Sequence, residues 1–194
     1  MSIGVVACGA LATHIADIST QESLDIVIYP LPPLLHNRPE RIADEVENLL
    51  AEISKKHSAC AVAYADCGTY GALDLVIQRH GVKRLGGNHC YDIFAGKEKI
   101  EQIMESDAGT YFLTDFLVKS FHRSVIVELG LDLRPELRDD YFKNYSRVIW
   151  LAQQPTAELE KLAFEAAHQI GLPLEIQIVG YGQLTQQIKE LLRN

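Results

Sequence analysis

Short apolar runs alternate with helix-length amphipathic segments along this chain. That is the pattern of βαβ units, in which parallel strands are joined by crossover helices. The runs predict strands at Ile3–Ala7, Leu24–Tyr29, Ala59–Ala65, Val82–Leu85, Arg147–Leu151 and Leu174–Val179. Several are almost continuous in aliphatic and β-branched residues, as expected where helices cover both faces of a sheet. Between them, Pro39 occupies a favoured first-turn position, and Ile42, Val46, Leu49, Leu50 and Ile53 form one helical stripe. A second helix is predicted from about Gly71 to Gly81, where glycine suits a left-handed cap. Thr156 caps a third, which carries Leu159, Leu162, Ala163 and Ala166 and stops at Gly171. Leu184–Leu192 closes the chain as a last helix.

From Tyr91 to Tyr145 the alternation is interrupted. Helices are predicted at Lys97–Glu105, Thr110–Phe121 and Pro135–Tyr145, around a short apolar run at Ser124–Leu129. The expected architecture is therefore a single α/β domain over residues 1–194. Its mostly parallel, Rossmann-like or flavodoxin-like sheet has helices on both faces, and residues 91–145 form a helical excursion packed over it.

Composition narrows what such a domain does. The 194 residues carry a formal charge of −8, which argues against phosphate-backbone binding, since that needs a basic face. No apolar stretch reaches the roughly 18 residues of a spanning helix. The amino terminus lacks a basic segment ahead of its short apolar run, so the expectation is a cytoplasmic protein with neither nucleic-acid nor membrane partners. In that compartment Cys8, Cys60, Cys67 and Cys90 are expected to be reduced thiols.

In open parallel sheets, ligands bind beyond the carboxyl ends of the strands. Cys8-Gly9 follows the first predicted strand, and His36-Asn37-Arg38 lies in the loop after the second. Asp66-Cys67-Gly68-Thr69 follows the third, and His89-Cys90 the fourth. All of these loops fall on one edge. Thiolates beside glycines and ahead of helix amino termini can ligate metal or attack an electrophile. Cys8, Cys67 and Cys90 are thus candidate ligands of zinc or of an iron–sulfur cluster with one open iron. His36, His89 and Asp66 are candidate catalytic groups, and Arg38, Asn37 and Thr69 candidate substrate contacts.

Plainer roles stand beside these. A cysteine often only fills a core, which suffices for Cys60. Asn37 and Asp66 each sit where a residue caps the next helix. His14, His57, His80, His122 and His168 suit solvated or helix-end positions. Tyr141, Phe142, Tyr145 and Trp150 suit packing. The charged run Asp132 to Asp140 suits a solvated face. No nucleotide-binding glycine loop or nucleophile elbow is present.

The chain resembles the bacterial and archaeal family known as domain of unknown function 1638. The resemblance rests on Ala7-Cys8-Gly9-Ala10, Leu35-His36-Asn37-Arg38-Pro39-Glu40, Tyr64-Ala65-Asp66-Cys67-Gly68-Thr69 and His89-Cys90-Tyr91-Asp92. It continues through Phe94-Ala95-Gly96, Gly109 to Leu117, Leu129 to Asp132, Asp140-Tyr141-Phe142, Asn144-Tyr145 and Gly180-Tyr181-Gly182. It implies an association with corrinoid-dependent methyltransferase systems of one-carbon metabolism. Three functions are therefore weighed. The first is a metal- or cluster-binding enzyme or accessory factor, acting on a small molecule or beside a corrinoid or methyltransferase protein. The second is a metal-independent enzyme with Cys67 as nucleophile and His89 or His36 as base. The third is a non-catalytic module that clamps a small anion with Arg38.

Overall fold

A computed structural model describes residues 2–193. In chain order, β1 (Ile3–Cys8) leads into α1 (Gly9–Gln21) and β2 (Ile26–Leu31). Two 3-10 turns, Pro33–Asn37 and Pro39–Arg41, precede α2 (Ile42–Ile53), β3 (Cys60–Ala63), α3 (Ala72–His80) and β4 (Lys83–Arg84). Then come α4 (Cys90–Ala95), α5 (Lys97–Ser106), β5 (Thr110–Thr114) and α6 (Asp115–Phe121), which runs on into a π-helical turn at His122–Val127. A 3-10 turn at Pro135–Leu137, α7 (Arg138–Phe142), β6 (Arg147–Ala152), α8 (Ala157–Gln169), β7 (Leu174–Ile178) and α9 (Gly182–Leu191) complete the chain.

The protein is α/β with parallel strands throughout, in the Rossmann- and flavodoxin-like manner, but the strands divide between two sheets: β2-β1-β3-β4 and β5-β6-β7. The sheets belong to two compact units, one running to Ile93 and resuming at Tyr181, the other Phe94–Gly180. Each strand expected from the apolar runs is present, with ends moved by about two residues or fewer. Among the described residues no helix is long and apolar enough to cross a membrane.

In the first unit β1 is central and wholly apolar, pairing with β2 from Ile3↔Ile26 to Cys8↔Leu31 and with β3 from Gly4↔Cys60 to Ala7↔Ala63. Pro30 is tolerated because β2 is an edge strand. The stripe of α2 buries Ile42, Val46, Leu50 and Ile53, and α1 buries Leu11, Ile15 and Ile18. Gly81 takes the left-handed cap that closes α3. His14 and His57 depart from the solvated role expected of them. His14 is buried and hydrogen-bonded to Tyr181 at 2.9 Å, while His57 joins Tyr29 Oη and the Ser2 carbonyl, each at 2.9 Å.

The second unit corrects the reading of residues 91–145 as a helical excursion. Thr110–Thr114, expected as the first turns of a helix ending at Phe121, is strand β5, paired with β6 from Thr110↔Arg147 to Thr114↔Leu151. Its Thr-Tyr-Phe-Leu-Thr sequence is β-branched and aromatic. The helix starts only at Asp115, where the Thr114 side chain accepts the Leu117 N–H. Trp150 on β6, fully buried, centres an apolar cluster with Leu113, Val118, Phe121, Val148, Leu159 and Ala163. As expected, Thr156 caps α8 through the Leu159 N–H.

Candidate functional site

The order β2-β1-β3-β4 creates a crevice. From β1 the chain crosses to β2 on one side, and from β2 it crosses back over β1 to β3 on the other. Loops at the carboxyl ends of β1 and β3 therefore diverge, and ligands of parallel sheets bind at such a switch point. Cys8 ends β1 at this place and is buried, immediately before α1. Gly9 is required beside it: a Cβ there would collide with the Leu31 carbonyl and the ring of Pro33.

The loop after β3 presents Cys67 from an unusual backbone. Cys67 and Tyr70 hold positive φ angles of 51° and 50°, beside Gly68 at 85° and Gly71 at 87°. Strain of this kind persists only where surrounding bonds enforce it, and it gathers at functional sites. Asp66 supplies the bonds, accepting from the Thr69 hydroxyl at 2.6 Å, Gly71 N at 3.1 Å and Tyr70 N at 3.2 Å. Burial raises the Asp66 pKa, but those three hydrogen bonds outweigh it and hold the carboxylate below its usual range. Asp66 and Thr69 thus shape the loop that carries Cys67.

Backbone bonds from Asp66 N to the Gly87 carbonyl (3.2 Å) and from Cys67 N to the Asn88 carbonyl (2.7 Å) fasten this loop to the one after β4. There the buried Asp92 carboxylate accepts the N–H groups of Asn88 (2.8 Å) and His89 (3.1 Å). A side chain at Gly87, whose φ is 97°, would press on Asp92. The resulting turn leaves His89 at the exposed rim. Cys90 is partly exposed as a residue, with its sulfur enclosed.

The loops after β1, β3 and β4 therefore bring three sulfurs within electrostatic reach of one another. Burial raises the Cys67 thiol to about 12, and the nearby Cys8 sulfur pushes the same way. Burial likewise raises Cys90, with Cys67 and Cys8 adding to it. Burial raises Cys8 too, against a pull from the first-turn amides of α1 and from Tyr64. His36 Nδ1 lies 3.8 Å from Cys8 Sγ, and its ring stacks 6.0 Å from that of Tyr64. Burial, then the charge of His89, lowers the His36 pKa, so the imidazole is neutral at neutral pH. The Tyr64 hydroxyl is buried beside the Cys8 sulfur, and burial, then the charge of Cys8 and its hydrogen bond with Tyr64, then the charges of Cys67 and Cys90, push its ionisation far up.

Asn37 and Arg38 lie on the same edge as exposed residues of the β2 loop. Asn37 does not cap the helix after it, as expected from sequence. The intervening 3-10 turn Pro39–Arg41 separates it from α2, and no side chain caps either segment. Sequence reasoning missed Tyr64 and Asp92. Tyr64 ends a continuous apolar strand where a phenol needs a partner for its polar tip, and Asp92 stands four residues after Asn88, where a carboxylate can collect loop amides.

All four cysteines are free thiols. The donor chemistry suits a soft metal ion, but among the described residues no three His, Cys, Asp or Glu side chains stand ready-made around one. Metal-free chain at pH 7.5 is expected to react with iodoacetamide fastest at Cys60, the least enclosed thiol, and slowest at Cys8, Cys67 and Cys90. Mass-spectrometric labelling rates check this. A fast Cys67 would instead favour its service as a nucleophile.

A model of the family described as "Protein of unknown function (DUF1638)" matches residues 30–188. No curated protein and no solved structure matches the chain.

Proposed function

This chain belongs to the DUF1638 family, and from its site we propose that it is a thiolate–metal protein in which Cys8, Cys67 and Cys90 hold a zinc ion or an iron–sulfur cluster. The observation that carries the reading is the gathering of three enclosed sulfurs from three separate strand ends, where Cys8 opposes the ionisation of Cys67, and Cys67 and Cys8 that of Cys90. Such a set is stable as neutral thiols, or as thiolates neutralised together by a cation, which inverts the local preference. Binding in this reading requires the three side chains to turn into one coordination shell, since none stands ready-made among the described residues. When bound, the metal centre supplies Lewis-acid or redox chemistry to a small substrate.

The surrounding residues have separate tasks. Neutral His36, beside Cys8, serves as a fourth donor or accepts a proton, and His89 at the rim assists it. Tyr64 Oη, beside Cys8, donates its hydrogen bond to that sulfur or to an atom bound there. Arg38 meets an anionic group at the entrance. Asp66, Thr69 and Asp92 hold the cysteine loops in place. The setting in this reading is the reducing cytoplasm, where the chain works as an enzyme or accessory factor of corrinoid-linked one-carbon metabolism. That last assignment rests on the family resemblance alone.

The experiment is elemental and sulfide analysis of chain produced and purified without oxygen, then reconstituted in parallel with zinc and with iron plus sulfide. Stoichiometric zinc, or a brown protein with matching iron and sulfide, is the expected result. Cys8→Ser, Cys67→Ser and Cys90→Ser should each lose it while keeping the native circular dichroism. A folded wild-type chain that takes up neither form overturns the reading.

A further inference from the structure

The sheet of the second unit ends on β7, and the free edge of that strand lacks the usual protections. Val148 N–H bonds to the Pro173 carbonyl, and Val179 N–H to that of Ala152. In this parallel ladder Pro173, Glu175, Gln177 and Val179 thus turn their peptide groups toward β6. Leu174, Ile176 and Ile178 turn theirs to the outer edge. Natural edges are closed by charged side chains, lysine above all, by proline or by a bulge, and the one charge on β7, Glu175, is held by Arg147 of β6 at 3.1 Å. β7 has neither lysine nor proline, and its register with β6 is continuous from Val148↔Leu174 to Ala152↔Ile178. It also exposes Ile176 and Ile178, the latter by 72%. The other edges differ: β5 is mostly buried, β2 contains Pro30 and β4 is only Lys83–Arg84.

We propose that β7 pairs with β7 of a second copy of this chain, antiparallel about a two-fold axis through Ile176. The strand is self-complementary in that register. Ile176 meets its own copy, Leu174 meets Ile178, and Glu175 meets Gln177, so aliphatic residues share one face and no like charges oppose each other. The outward peptide groups of Leu174, Ile176 and Ile178 then bond reciprocally. Neighbouring registers fail. An axis through Glu175 sets two carboxylates opposite each other, an axis through Gln177 leaves Leu174 against Gly180 and Glu175 against Val179, and an axis between residues sets aliphatic side chains against polar ones. The contact is isologous, so assembly stops at the dimer. A strand pair this short makes a small interface, and the dimer forms reversibly with concentration.

Sedimentation velocity from roughly 5 to 500 µM tests this, with a monomer–dimer equilibrium expected across that range. Ile176→Lys places two ammonium groups across the axis and should raise the dissociation constant about tenfold or more, with circular dichroism confirming the fold. Ile176→Cys should give a covalent dimer under mild oxidation, because residues opposed in a hydrogen-bonded antiparallel pair lie about 5.5 Å apart at Cα, within disulfide reach. Leu133→Cys, exposed elsewhere in the same unit, should not. A chain monomeric at every concentration overturns the proposal. So does a dimer that ignores Ile176→Lys and leaves Ile176→Cys uncrosslinked.

Discussion

Asp115→Ala is expected to destabilise the second unit by about 4 kcal/mol, from the loss of one buried acceptor serving several donors. The Asp115 carboxylate is 2% exposed and accepts Trp150 Nε1–H at 2.9 Å, Gln153 N–H at 3.0 Å and Gln154 N–H at 2.8 Å. Gln153 returns a bond, its side-chain oxygen accepting Asp115 N–H at 2.8 Å. This reciprocal set ties the end of β5 to the end of β6. Truncation leaves donors buried without partners, each a loss of roughly 1–3 kcal/mol, partly recovered if water enters. Trp150 is the single tryptophan, so its fluorescence during urea denaturation reports this unit directly. Trp150→Phe keeps most of the packing, and combining it with Asp115→Ala, all four chains compared by circular dichroism during urea denaturation, should cost clearly less than the sum of the two changes. A loss under about 1 kcal/mol for Asp115→Ala would mean that the carboxylate does not organise the strand ends.

Asp115 was invisible in the sequence for the same reason that β5 was. Gly109 to Phe121 contains a strand and a helix with no glycine or proline between them, and the boundary is one threonine whose capping bond appears only in three dimensions. Elsewhere local signals sufficed. Gly81, Thr156 and the apolar stripe of α2 act within one element, so their roles follow from spacing. The division into two sheets is a matter of which strands pair, which no local pattern encodes. The position of Cys8, Cys67 and Cys90 after the first, third and fourth strands was legible, because parallel topology sends every such loop to one edge. What lies between those sulfurs was not. Tyr64 reads as one more strand residue, and Asp92 as an ordinary acid in a helical turn. Only the fold shows a buried hydroxyl facing the thiols and a carboxylate holding the loop that carries Cys90.

Raising the pH is expected to weaken the metal-free fold steeply above pH 9, and Cys67 alone accounts for about 2 kcal/mol by pH 10.5. The sign follows from which state keeps its proton. An ordinary cysteine in the unfolded chain ionises near 9.0, whereas Cys67 in the folded chain ionises only at about 12. Below pH 9 both states are protonated and nothing is lost. Between the two values the unfolded chain gives up its proton while the folded one retains it, so unfolding gains about 1.4 kcal/mol per pH unit. Cys8 and Cys90, raised by the same burial, act in the same direction. Denaturation by urea under reductant at pH 8, 9.5 and 10.5 measures the slope, and Cys67→Ser should remove that share of it while other alkaline losses persist. Metal loading has the opposite dependence: the thiols must lose their protons to bind, so affinity should climb over the same interval and protons be released. Equal slopes for Cys67→Ser and the wild-type chain would show that this sulfur is open to water. The enclosed thiol cluster, and the metal centre inferred from it, would then lose their physical basis.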